Sequence, residues 1–135
     1  MITAHVEAVK SLLETALDGH VSLAVRLDSQ GVGLKEKYAI LMMGGPRLGD
    51  DRFRSEQEPL SRASWEFTAR WVAPTSEGVL AVAELGYAAL VGVRPTVAGR
   101  QCTRIRSTGS DPVLYDKALG VSFADDRFSF ESRKA

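Results

Sequence analysis

Between Glu77 and Val91 the chain carries one internal charge, Glu84, in a run otherwise made of Val, Leu, Ala, Gly and Tyr. At 100° per residue, Val79, Leu80, Ala83, Tyr87, Leu90 and Val91 form an apolar stripe that can cover a sheet. The opposite stripe, polar in an ordinary surface helix, here reads Gly78, Ala81, Val82, Leu85, Ala88, Ala89 and Gly92. A chain of 135 residues builds about two layers of secondary structure, so a helix lying on a sheet turns its back outward. That back must meet either another subunit or the first helix or a loop of the same chain. On the first reading, Ala81, Val82, Leu85, Ala88 and Ala89 are the expected subunit interface.

Length fits a single domain spanning residues 1–135. With 44% apolar residues, such a chain buries roughly two thirds of its unfolded surface without staples. Seventeen basic and seventeen acidic side chains cancel, which removes the electrostatic case for free nucleic acid or anionic membrane as the main partner. A lone cysteine, Cys102, has no internal partner for a disulfide, as expected in a reducing compartment. His5 and His20 stand apart from it at no zinc-site spacing. Neither a signal-peptide pattern nor an 18-residue apolar run is present, so the expectation is a cytosolic product with no membrane partner.

Thr3 is placed to cap a first helix running to about Leu17, with Val6, Val9, Leu13, Ala16 and Leu17 on one face. Asp18-Gly19 stops it, Gly19 being free to turn left-handed. Val21, Leu23, Val25 and Leu27 alternate as a short strand, and the continuous apolar run Tyr38–Met43 reads as a strand buried on both faces. From Arg62 to Trp71 the alternation is cleanest: Ala63, Trp65, Phe67, Ala69 and Trp71 face one way, polar residues the other. The two tryptophans are core at that period, or else a ligand platform. Residues 44–61 separate these strands and hold Arg47, Asp50, Asp51, Arg52 and Arg54 among few apolar groups. So long a connection is uncommon unless functional, and an extended, charged docking arm is expected. Further strands are expected at Arg100–Ser107, Leu119–Phe123 and Phe128–Phe130. The order α-β-β-β-α-β-β predicts an α+β fold: an antiparallel sheet with two helices on one face and a long hairpin arm.

Catalytic patterns are missing. Asp50-Asp51 and Asp125-Asp126 are adjacent acids that solvation explains better than Mg²⁺. Gly44-Gly45-Pro46-Arg47-Leu48-Gly49 lacks the Lys-Ser/Thr end of a phosphate loop. Cys102, inside a strand with no sequence-neighbouring His, reads as a buried structural thiol. No catalytic residue, metal or cofactor is expected. Arg100, Arg104 and Arg106 form a basic cluster in which 104 and 106 share one strand side. That is either a plain solvated face or a surface past which DNA moves without being held tightly.

The order of these segments resembles the tail terminator and tail-completion proteins of long-tailed bacteriophages. The resemblance rests on Lys37-Tyr38-Ala39-Ile40-Leu41, the charged arm, Ser64-Trp65-Glu66-Phe67-Thr68, Ala89-Leu90-Val91-Gly92-Val93-Arg94, Val97-Ala98-Gly99-Arg100 and Pro112-Val113-Leu114-Tyr115-Asp116. It covers nearly the whole chain and departs at Gly92-Val93-Arg94-Pro95, where a leucine and glycine would fit better. The resemblance implies a structural virion protein assembled in the bacterial host cytoplasm, without enzymatic activity. It would form a homohexameric ring at the head–tail junction, on the head-proximal end of the tail tube. Its partners would be itself, the tail tube protein and a head-completion or neck protein, with transient passage of DNA. The competing readings are another head–tail joining protein and, from a different class, a small cytosolic ligand-binding domain walled by Trp65 and Trp71.

Overall fold

The computed structural model describes residues 2–27, 31, 33, 36–48 and 62–135. Among these described residues two helices, α1 (Ile2–Ala16) and α2 (Ser76–Leu90), accompany eight strand segments. These are β1 (Val21–Ser22), β2 (Tyr38–Met43), β3 (Arg47–Leu48), β4 (Arg62–Ala73), β5 (Arg100–Cys102), β6 (Arg106–Ser110), β7 (Leu114–Asp116) and β8 (Val121–Lys134). The fold is α+β, as the element pattern predicts.

β4 and β8 are its axis. They pair antiparallel over their length, from Arg62↔Arg133 to Ala73↔Ser122. β2 and β3 follow one another along the outer edge of β4, while β7, β6 and β5 line the outer edge of β8. The sheet is mixed rather than purely antiparallel, because β1 pairs parallel to β2 (Val21↔Ala39). The expected strand Val21–Leu27 shrinks to Val21–Ser22, with Leu23, Val25 and Leu27 exposed. Among the described residues Leu23 and Val25 have no strand neighbour, and Leu27 makes an isolated antiparallel bridge to Gly33.

Both helices pack on the face made by the odd-numbered residues of β4. His5 of α1 stacks on Trp65, with ring centroids 4.1 Å apart, and Gly86 of α2 lies against the Trp71 ring. Across the strand pair, Phe128 and Phe130 of β8 stand opposite Phe67 and Trp65. Each of these large rings contributes about 2–3 kcal/mol when buried, and Trp65, Trp71, Phe128 and Phe130 are all fully buried. A smaller cluster on the other face joins Tyr38, Ile40, Val72 and Val121. Tyr38 and Ile40 enter this cluster while Ala39 and Leu41 enter the main core, so β2 is buried on both faces.

Several boundaries differ from expectation for local reasons. α1 begins at Ile2, so Thr3 lies inside the helix instead of capping it. Asp18 and Gly19 both turn left-handed (φ 52° and 79°) and end it where expected. The two expected end strands are one continuous strand, β8. Among the described residues no helix is long and apolar enough to cross a membrane. Of the expected docking arm, residues 44–48 are described: Arg47 is exposed beside Glu66 at 3.8 Å, and β3 pairs with β4. Asp50, Asp51, Arg52 and Arg54 lie outside the described residues.

Candidate functional site

α2 is set by its ends. Pro74 precedes it, the Thr75 hydroxyl accepts from the Gly78 amide (3.1 Å), and Glu77 sits in the first turn where the helix dipole favours an acid. Its buried column is Gly78, Val79, Val82, Gly86 and Leu90, rotated from the stripe expected from hydropathy. Glycine explains the rotation. A Cβ at Gly86 would lie 2.3 Å from the Trp71 ring, and one at Gly78 2.9 Å from Ala73 Cβ, so these two positions let the helix backbone settle onto the strand. Val82 comes down with them and is 3% exposed. It belongs to the chain's own core, which corrects its place in the expected interface. Leu80 and Tyr87 rotate outward instead, to 59% and 41% exposure.

The rest of the expected interface remains on the surface: Ala81, Leu85 and Ala88 are exposed and Ala89 is half-buried. α1 packs beside α2 without covering Ala81, Leu85 or Ala88. With Leu80 and Tyr87 the strip forms an apolar surface of the kind that marks contact sites. Between α2 and β8 it dips into a depression of about 420 Å³ that includes Leu80, Glu84, Tyr87 and Asp126.

At the β5 end of the sheet lies a larger cleft, of about 1280 Å³. Arg62, Arg94, Arg100, Arg104, Arg133 and Lys134 line it against one acid, Glu131, which pairs with Arg62 at 3.3 Å. Sequence reasoning found Arg100 and Arg104 but missed the others, because Arg133 and Lys134 enter only when β8 runs on to pair with β5. Arg106 is not part of the cleft. Residues 103–105 interrupt the expected strand Arg100–Ser107, Ile105 turns into the core, and Arg106 donates to Ser129 Oγ at 2.9 Å. Arg104 and Arg106 therefore do not share a strand side.

Groups that suggested chemistry are spent on structure. Trp65 and Trp71 have no exposure, and their indole N–H groups donate to Ser132 Oγ (3.1 Å) and Asp126 Oδ2 (2.8 Å). Neither tryptophan lines either concavity. Asp125 and Asp126 point to opposite sheet faces. Asp125 grips Arg70 with two bonds of 2.7 and 2.9 Å, and this hydrogen bonding raises the Arg70 pKa above its ordinary value. Among the described residues no cluster of His, Cys, Asp or Glu is arranged to hold a metal. Cys102 is buried, and that burial pushes its thiol pKa up although Arg100 pulls the other way.

Beneath the cleft, Ser132 Oγ meets three nitrogens: Trp65 Nε1 (3.1 Å), Arg100 Nη2 (3.0 Å) and His5 Nε2 (2.9 Å). A hydroxyl accepts two hydrogen bonds and donates one. The indole and guanidinium can only donate, so the hydroxyl proton goes to His5 Nε2. That assigns His5 as the neutral Nδ1–H tautomer. Sequence gave no sign of this, since its partner lies 127 residues away.

No protein-family model matches the chain, and no curated protein matches it. Among solved structures, a chain from the virion of a native gene transfer agent particle has a similar fold, with a TM-score of 0.68. The two are 14% identical, and the match covers 98% of this chain and 97% of that one. At that identity the likeness is one of fold.

Proposed function

We propose that this protein is a structural component of a phage-type virion. In this reading it forms a ring of like subunits at the head-proximal end of the tail tube, ends tube growth and presents a surface to the neck. The observation that carries the proposal is the end-to-end fold likeness to a gene transfer agent virion chain, 98% and 97% of the two lengths. The element order that resembles tail terminators agrees with it. So does the exposed apolar strip of Leu80, Ala81, Leu85, Tyr87 and Ala88, since a ring needs head-to-tail contacts between unlike surfaces of identical copies. No catalytic step is part of this function. The charged segment 44–61 would meet the tube or a neighbouring copy, and a lumen-facing surface need only let DNA pass.

Ala88→Glu and Leu85→Glu test the ring directly. Both positions are exposed, so each variant should keep the circular dichroism and melting temperature of the parent while losing assembly in sedimentation velocity runs. Normal assembly by both variants would place the contact elsewhere and remove the strip from the argument.

A further inference from the structure

The charges of this chain cancel in total but not in space. α2 contains no Lys, Arg or His. Its exposed carboxylates, Glu77 and Glu84, stand two turns apart on the side that also exposes Leu80, Ala81 and Ala88. Neither forms an ion pair among the described residues. The depression beside them adds a third carboxylate, Asp126. In the basic cleft, Arg94, Arg104 and Lys134 likewise have no carboxylate partner among the described residues, and Arg133 reaches only the neutral Gln101 Oε1 (3.1 Å).

Among the described residues no ion pair joins the two surfaces within one copy. Arg94 follows the end of α2 by four residues, so the cleft opens at that helix's C-terminal end. Glu84 and Glu77 lie about 9 and 20 Å back along the axis at 1.5 Å per residue. One end of α2 thus leads into an excess of cations, and its outer face carries carboxylates set among apolar side chains.

Resting on the ring reading above, we propose that the occupant of the basic cleft is a second copy of this chain. The outer face of α2, with Glu77 and Glu84, docks against Arg94, Arg104 and Lys134 of the next subunit. Such a contact is heterologous and leaves the same two surfaces free at each end, so it propagates around a ring. The division of labour follows from magnitudes. An exposed ion pair is worth about 0–1 kcal/mol, so the charges set register and speed of encounter. Leu80, Leu85 and Tyr87 supply the buried area. Lys and Arg stems suit the depression, because they lay methylenes along Leu80 and Tyr87 while the head reaches Glu84.

A charge-swap experiment tests the pairing. One variant carries Arg94→Glu and Arg104→Glu, the other Glu77→Lys and Glu84→Lys. All four positions are exposed, and circular dichroism verifies that both variants fold. Alone, each sets like charges against one another where positions 94 and 104 meet positions 77 and 84, and its half-assembly concentration should rise about tenfold or more, the equivalent of about 1.4 kcal/mol. Mixed in equal amounts, the carboxylates introduced at positions 94 and 104 of one variant meet the amines introduced at positions 77 and 84 of the other, and assembly should return. As a second readout, carbodiimide coupling of mixed ¹⁴N and ¹⁵N protein should join Lys134 to Glu77 or Glu84 between copies. Parent-like assembly by both variants while the parent forms rings, or no recovery on mixing, overturns the pairing and leaves the ring reading intact. Loss of duplex DNA retention by the Arg94→Glu, Arg104→Glu variant with unchanged assembly also overturns it, assigning the cleft to phosphate. A parent that never assembles defeats the ring reading and this inference together.

Discussion

Replacing Ser132 by alanine removes three heavy-atom contacts and almost no volume, which makes it a sensitive probe of the buried hydroxyl. Trp65 Nε1–H would lose its buried partner, at about 1–3 kcal/mol for an unsatisfied neutral group, and His5 Nε2 would lose its contact with the hydroxyl. Arg100 keeps its bond to the Ser132 carbonyl (3.1 Å), so it adds little. The expected loss is about 3 kcal/mol, with the two terms sharing one site and not strictly additive. For a domain of this length that corresponds to a fall in melting temperature of about 10 °C. Urea unfolding followed by tryptophan fluorescence reads the loss directly, since Trp65 and Trp71 are both in the core. Trp65→Phe made on the Ser132→Ala background should cost less than on the parent, because the orphaned N–H goes with the indole. A Ser132→Ala variant within about 0.5 kcal/mol of the parent, the range of ordinary surface changes, would refute the reasoning and with it the assigned His5 tautomer.

Gly86→Ala should destabilise by about 1–3 kcal/mol through overpacking, since Trp71 is held by Asp126 and cannot move aside; an unchanged urea midpoint would contradict that contact. Asp125→Asn should cost about 1 kcal/mol, because its pair with Arg70 is bidentate but only partly buried; a double-mutant cycle with Arg70→Met measures the coupling. Cys102 should react slowly with an aromatic disulfide in the native state, its rate rising at higher pH than for an unfolded thiol. The raised pKa lowers the thiolate fraction at any given pH, and native reactivity equal to that of the urea-unfolded chain would contradict its burial.

What was legible in the sequence follows from how local each signal is. β4 was readable because one face is uniformly core and the other wet, and β2 because both faces are covered. α2 has its ends set by local chemistry, the Thr75 hydroxyl accepting from the Gly78 amide and Gly92 lying at positive φ (80°). Its rotation was hidden, because which column faces the sheet depends on Gly86 meeting Trp71, a tertiary contact. β8 was split because Asp125-Asp126-Arg127 looks like a turn. Those charges are instead met by Arg70, Trp71 and Asp111 on neighbouring strands and the loop. β6, built from Arg106-Ser107-Thr108-Gly109-Ser110, has weak strand propensity and forms because β8 offers it an edge. The apolar strip was only partly legible: Ala81, Leu85 and Ala88 were named, Val82 was misplaced, and Leu80 and Tyr87 were assigned to the wrong side. The basic cleft was less so, being assembled from Arg62, Arg94 and Arg133, which are far apart in sequence.

Native mass spectrometry across a concentration series, with negative-stain microscopy of the same samples, tests the central claim most directly. The account predicts one discrete closed oligomer, seen as a ring, that Leu85→Glu dissolves into folded monomers. A monomer at every concentration, or an open-ended series of sizes with no closed ring, would contradict it.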